Sequence, residues 1–89
     1  MKKPNRCSEV IVRDENDKAI LFDSRSGAMY LVNSTAGFVW SLCDGSKDLE
    51  EIIGLVKSRF GGKSYDVDGD VTKLIGRFSE LGLITIAEG

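Results

Sequence analysis

Leu31-Val32-Asn33-Ser34-Thr35-Ala36-Gly37-Phe38-Val39-Trp40-Ser41-Leu42-Cys43-Asp44-Gly45 is the stretch that decides the fold. Leu31 and Val32 end an apolar run of strand character. Asn33 and Ser34 are both good helix N-cap residues, because a short polar side chain accepts from the free N–H groups of a first turn. The next ten positions hold Ala36, Phe38, Val39, Trp40, Leu42 and Cys43, apolar nearly all round, so this helix should be central and buried. Asp44-Gly45 ends it, with Gly suited to the left-handed C′ position. The chain therefore changes from strand period to helix period at Asn33.

Upstream the pattern is all strand. Glu9-Val10-Ile11-Val12-Arg13 places β-branched residues at three successive positions. Asp14-Glu15-Asn16-Asp17-Lys18 reads as a turn, and Ala19-Ile20-Leu21-Phe22 as a second strand. Asp23-Ser24-Arg25-Ser26-Gly27 turns again, and Ala28-Met29-Tyr30-Leu31-Val32 is a third strand. Two tight connections imply an antiparallel meander, which needs a cover on one face. Residues 1–8 are polar and expected to fray.

Downstream it is all helix. Asp48 with Glu51 makes an Asp form of the capping box, and Leu49, Ile52, Ile53, Val56 and Phe60 recur at helical spacing up to Gly61-Gly62. A third helix opens near Asp66 and carries Val67, Val71, Leu74, Ile75, Phe78 and Leu81 on one face, with Gly82 as its cap. Leu83-Ile84-Thr85-Ile86 is expected to dock as a short extended tail. The expected fold is α+β, a three-stranded antiparallel sheet followed by three helices, with residues 1–89 as a single domain.

Composition narrows the chemistry. The 89 residues are 42% hydrophobic and 29% charged, an ordinary globular balance. Histidine is absent, so a His-based triad, a His-ligated metal site and an imidazole switch are all excluded. Ser, Thr and Cys side chains occur, but no recognisable base accompanies them, and no cofactor or metal is called for. The expectation is a binding or accessory module, not an enzyme. Cys7 and Cys43 form no Cys-x-x-Cys pair; Cys43 reads as a small buried apolar residue on a helix and Cys7 as an exposed bystander. No run approaches the roughly 18 apolar residues that cross a bilayer, and Pro4-Asn5-Arg6 interrupts any signal-peptide core. A cytoplasmic setting follows.

Three features look like sites, and the first two fail on spacing. Asp66-x-Asp68-x-Asp70 opens like a calcium loop, yet the positions that need Gly and Glu hold Val71 and Arg77. These acids favour a helix N-terminus instead. Gly62-Lys63-Ser64 resembles the end of a phosphate loop, but the first Gly would fall at Lys57. Trp40, alone on an apolar helix, reads as core. Gly37, Gly54 and Gly76 each sit inside an expected helix, where Gly costs about 1 kcal/mol relative to Ala.

The run from Leu31 to Gly45, followed by Leu49-Glu50-Glu51-Ile52, resembles the PqqD family, the peptide-chaperone subunit of pyrroloquinoline quinone (PQQ) biosynthesis. That family lends its name to the RiPP recognition elements, which bind leader peptides of ribosomally made, post-translationally modified products. Asp23-x-x-x-Gly27 before Tyr30 and Leu31 is similar to the family's second hairpin, and Leu81-Gly82-Leu83-Ile84 to its end. The likeness runs from about Val10 to Ile84. Ser34 stands where the family often has Pro or Glu, and Asp48 where it has Thr; both swaps keep helix-starting chemistry.

The resemblance implies a winged helix-turn-helix fold that binds peptide. A leader would add as a strand to the edge of the third strand and lie against the third helix, and the domain would present it to a modifying enzyme of radical SAM type. Ala28, Met29, Tyr30, Leu31 and Val32 would form the edge, with Met29 and Leu31 on one face. Lys73, Leu74, Arg77 and Phe78 would form the far wall, the two cations meeting acidic leader residues. The competing readings are a winged-helix DNA binder and a purely structural interaction domain. Charge opposes DNA: from Ser46 to Glu80 there are six basic side chains and seven acidic ones. No nucleic acid and no membrane are expected as partners. The same open edge could pair with a second copy in a homodimer.

Overall fold

The computed structural model describes residues 2–60 and 66–88. The elements run β1 (Lys2–Arg6), β2 (Val10–Glu15), β3 (Lys18–Asp23), β4 (Ala28–Asn33), α1 (Ser34–Leu42), α2 (Leu49–Phe60), α3 (Val67–Glu80) and β5 (Ile84–Glu88). Strands β2, β3 and β4 form an antiparallel sheet in that order, and β1 pairs with β5 in a second, two-stranded sheet. The architecture is the expected α+β meander followed by three helices, with that second sheet added. Among the described residues no helix is long and apolar enough to cross a membrane.

Each boundary has a local cause. The β2–β3 turn is shorter than the sequence suggested, because pairing continues out to Glu15 and Lys18. Only Asn16 and Asp17 remain to turn, and Asn16 takes a left-handed φ of 58°. Asn33 caps α1, its Oδ1 accepting from the Ala36 N–H at 2.8 Å. Asp48 and Glu51 close the capping box at 2.9 and 3.0 Å. Asp66 accepts from Gly69 N–H and caps α3, the structural use of one of the three acids that mimic a calcium loop. Gly82, at φ 74°, ends α3. Gly45 is left-handed too, but it sits beyond the Cys43 C-cap, where its N–H donates to the Pro4 carbonyl. The Gly61–Tyr65 connection, including the Gly61-Gly62 stop and Gly62-Lys63-Ser64, lies outside the described residues.

The N-terminal segment is a correction. Residues 2–6 do not fray; they form β1, with Lys2 opposite Glu88 and Arg6 opposite Ile84. Arg6 N–H also donates to the Cys43 carbonyl at 2.7 Å, so the strand is held from both sides. The tail after Gly82 is its partner, a full strand. Cys7 is likewise half-buried and not an exposed bystander: its Sγ lies 3.2 Å from the Gly82 carbonyl oxygen. Cys43 is fully buried, which pushes its thiol up to about 12.

The core lies between the inner face of the β2–β3–β4 sheet and the helices. Leu21, Val39, Trp40, Ile52, Val71, Phe78 and Leu83 are buried there. Trp40 is core, as its setting implied, and its indole N–H donates to the Leu83 carbonyl at 3.3 Å. The outer face of the sheet carries the rows Ile11–Phe22–Met29 and Arg13–Ile20–Leu31.

Of the helical glycines, Gly37, Gly54 and Gly76 separate cleanly. A methyl group at Gly37 would sit 2.9 Å from the Ala19 side chain, whereas one at Gly54 or Gly76 would meet nothing within 4 Å. Gly37 is therefore the close contact between α1 and β3, and the other two only loosen their helices. Gly54→Ala and Gly76→Ala should each stabilise the protein by roughly 0.5–1 kcal/mol. Gly37→Ala should destabilise it by about 1–3 kcal/mol, since α1 must move off the sheet. Urea denaturation of the three variants checks both signs.

Candidate functional site

The sheet has two outer strands, β2 and β4, and their sequences differ in kind. The second half of β2 is Arg13-Asp14-Glu15, three consecutive charges, while β4 reads Ala28-Met29-Tyr30-Leu31-Val32-Asn33 and carries none. Charges discourage a further strand from pairing, and an uncharged edge leaves its row of N–H and C=O groups open to one. β4 alternates as its period requires: Ala28, Tyr30 and Val32 are half-buried toward the helices, while Met29 and Leu31 are 64% and 66% exposed.

Alongside β4 runs α3. Between them lies a groove of about 360 Å³ lined by Met29, Tyr30, Leu31 and Val32 on one side and Leu74, Arg77, Phe78, Leu81 and Leu83 on the other. It continues past the end of β4 into a second hollow of about 470 Å³, where Asn33, Thr35, Asp70 and Lys73 join Leu74 and Arg77. The second part adds polar and charged side chains to the apolar wall that Leu74 continues. Asn33 owes its place there to its capping role, which turns the chain from β4 into α1.

Of the residues expected at the site, Met29, Tyr30, Leu31, Val32, Leu74, Arg77 and Phe78 meet around the first hollow. Lys73 lies in the second. Ala28 begins the edge opposite Asp23 and lines neither hollow. Phe78 is only 1% exposed and forms the floor, while Ile75 is core. Leu74 is half-buried and is the apolar side chain shared by both hollows. Lys73 and Arg77 are exposed, and neither has a carboxylate within 4 Å among the described residues. Leu81 and Leu83 were not singled out in the sequence as wall residues. Leu81 follows Phe78 by three positions, a spacing that marks it for the same face.

A further cleft of about 340 Å³ lies beyond the β2 edge, between Val12, Asp14, Lys18, Phe38, Arg59 and Phe60. Arg59 stacks on Phe38 and Phe60 there, at 5.1 and 5.7 Å from the ring centres. Its strand edge is the charged one.

A three-stranded antiparallel sheet with three helices packed on it, one helix running beside an open strand, is a winged-helix-like arrangement. Residues 18–84 match the family model of coenzyme PQQ synthesis protein D, and the chain belongs to the PqqD family. Its fold is similar to that of TbiB1 in complex with the TbiA(beta) leader peptide, at TM-score 0.73 and 19% identity, covering 90% of this chain and 93% of that one. It is similar also to lasso peptide synthetase B1 complexed with the leader peptide, at TM-score 0.75 and 19% identity, covering 93% and 98%. At this identity the likeness is one of fold. No curated protein sequence matches the chain.

Proposed function

We propose that this protein binds the leader segment of a ribosomally synthesised precursor peptide by strand addition at β4, and holds it for a modifying enzyme. The observation that carries the reading is the uncharged open edge of β4 beside an apolar groove that ends in two cations with no carboxylate partner among the described residues. Main-chain hydrogen bonds along the edge supply register, and the groove selects side chains at alternate positions of the peptide. Membership of the PqqD family supports the same function, and both similar structures hold a leader peptide. The domain's part is binding, with chemistry left to its partner, for which an enzyme of radical SAM type is the family's example.

The surface that a DNA reading would need is poorly suited to phosphate. The start of α3 carries Asp66, Asp68 and Asp70, where a recognition helix would meet the major groove.

Isothermal titration with a synthetic leader from the precursor encoded beside this protein's gene tests the proposal. Binding at about 10 μM or tighter is expected, typical of strand addition with a few apolar anchors. The same peptide with every second amide N-methylated should lose affinity in one phase of methylation and keep it in the other. No binding at several hundred micromolar, with the modifying enzyme present, would overturn it.

A further inference from the structure

Asp23 is the one charged residue buried among the described residues, at 6% exposure. It ends β3 and opens the turn into β4. A turn of this kind needs only a short acceptor for the N–H two residues on, and Asp23 Oδ1 takes that bond from Arg25 N–H at 3.0 Å. Asp23 does more: its two oxygens also receive Arg25 Nε and Nη2, each at 3.0 Å. The guanidinium is thus held in a fixed plane by a bidentate pair. The carboxyl group is kept below its ordinary range by this bonding.

Fixed in that plane, Arg25 Nη2 reaches across to the Gly82 carbonyl at 2.7 Å. Gly82 ends α3 and lies between Leu81 and Leu83, two of the groove's lining residues. Among the described residues this is the single hydrogen bond that joins the β3–β4 hairpin to α3 or its C-terminal turn. It lies at the Ala28–Leu81 end of the groove; at the opposite end the walls part into the wider hollow near Lys73. Arg25 itself lines neither hollow.

We infer that Arg25 is a positioning residue for the peptide groove: by tying Gly82 to the β3–β4 turn, it sets the distance between the β4 edge and α3. The inference rests on the peptide-binding reading above. An added strand must pair with β4 and fill the space against Leu74 and Leu81 together. A wall free to drift would have to be ordered at binding, which lowers affinity. Lysine cannot take over this role, because one ammonium lacks the planar fork that grips Asp23 and still points at Gly82.

The test is titration with the leader peptide of wild type, Arg25→Lys, Arg25→Gln and Asp23→Asn, with Arg13→Gln as an exposed control. All are measured at a temperature where circular dichroism shows each fully folded. Affinity should fall about tenfold in Arg25→Gln and nearly as much in Arg25→Lys, the scale of one charge-assisted bond discounted for its partial exposure. Asp23→Asn, which removes no group from the groove, should show the same loss by freeing the fork. Amide signals of Leu81 and Leu83 should exchange faster in all three without peptide, and Arg13→Gln should behave as wild type. Wild-type binding together with unchanged binding in folded Arg25→Gln overturns the positioning role alone. A wild type that ignores the peptide overturns the reading beneath it.

Discussion

Replacing Leu74 with aspartate is expected to weaken leader-peptide binding by about a hundredfold or more while α3 stays folded. Leu74 is the apolar residue that both hollows share, half-buried on the helix that faces the β4 edge. An apolar peptide side chain seated against it gains about 1.5–3 kcal/mol from leaving water. A carboxylate at this place removes that gain and must itself be desolvated when the peptide closes over it, which costs several kcal/mol more without a partner. Arg77 lies three residues on and offers an exposed cation on the same side, which offsets part of that cost. That pairing also removes one of the two charges available to an acidic leader. Leu74→Met should stay within a few-fold of wild type, as a volume-conserving swap. Calorimetric titration with circular dichroism as the folding control separates the outcomes. Wild-type affinity in Leu74→Asp would place the peptide elsewhere on the molecule.

The second large effect belongs to stability. Trp40→Ala should cost about 3–5 kcal/mol, a large share of the 5–15 kcal/mol that holds a domain of this kind together. Trp40 is 3% exposed and does more than fill space. Its indole N–H bonds the Leu83 carbonyl, where α3 gives way to β5, and the Arg6 guanidinium of β1 lies 5.6 Å from the ring centre. One side chain on α1 thereby meets β1 and the residue that leads into β5. Truncation leaves a cavity and takes from the Leu83 carbonyl one of its two donors, the Cys7 N–H remaining at 3.2 Å. The thermal midpoint should fall by roughly 15–30 °C, and the β1 amides should lose protection from hydrogen exchange first. Trp40→Phe keeps most of the packing and loses the hydrogen bond, at about 1–2 kcal/mol. A midpoint for Trp40→Ala within a few degrees of wild type would show that the second sheet holds without it.

Much of this fold was legible in the chain because its boundaries are written locally. Asn33, the Asp48–Glu51 box, Asp66 and Gly82 each do at their position what residue type and spacing imply. β1 was not legible for the complementary reason. Lys2-Lys3-Pro4-Asn5-Arg6 has no alternation and includes a proline, so nothing within it announces a strand. It becomes one because Ile84–Glu88, some eighty positions away, offers a partner. The site divides similarly. The β4 edge and Leu74, Arg77 and Phe78 were named through the family resemblance, and helical period adds only that Leu74 and Phe78 share a face of α3. The tie from Asp23 through Arg25 to Gly82 was legible by neither route, since Asp23-Ser24-Arg25-Ser26-Gly27 is equally sound as a plain turn. A contact between residues 57 positions apart has no local signature.

The β1–β5 pair has a consequence for how this unit can be carried. Lys2 stands opposite Glu88, and facing residues in an antiparallel pair are only about 4.5–5.5 Å apart. The polypeptide thus enters and leaves at one doorway, closed like the clasp of a bracelet. A unit with such a doorway can be spliced into a surface loop of a larger host, or reopened at the Asn16–Asp17 turn with its old ends joined, without stretching the scaffold. Either graft would leave β4 as an open edge of its sheet.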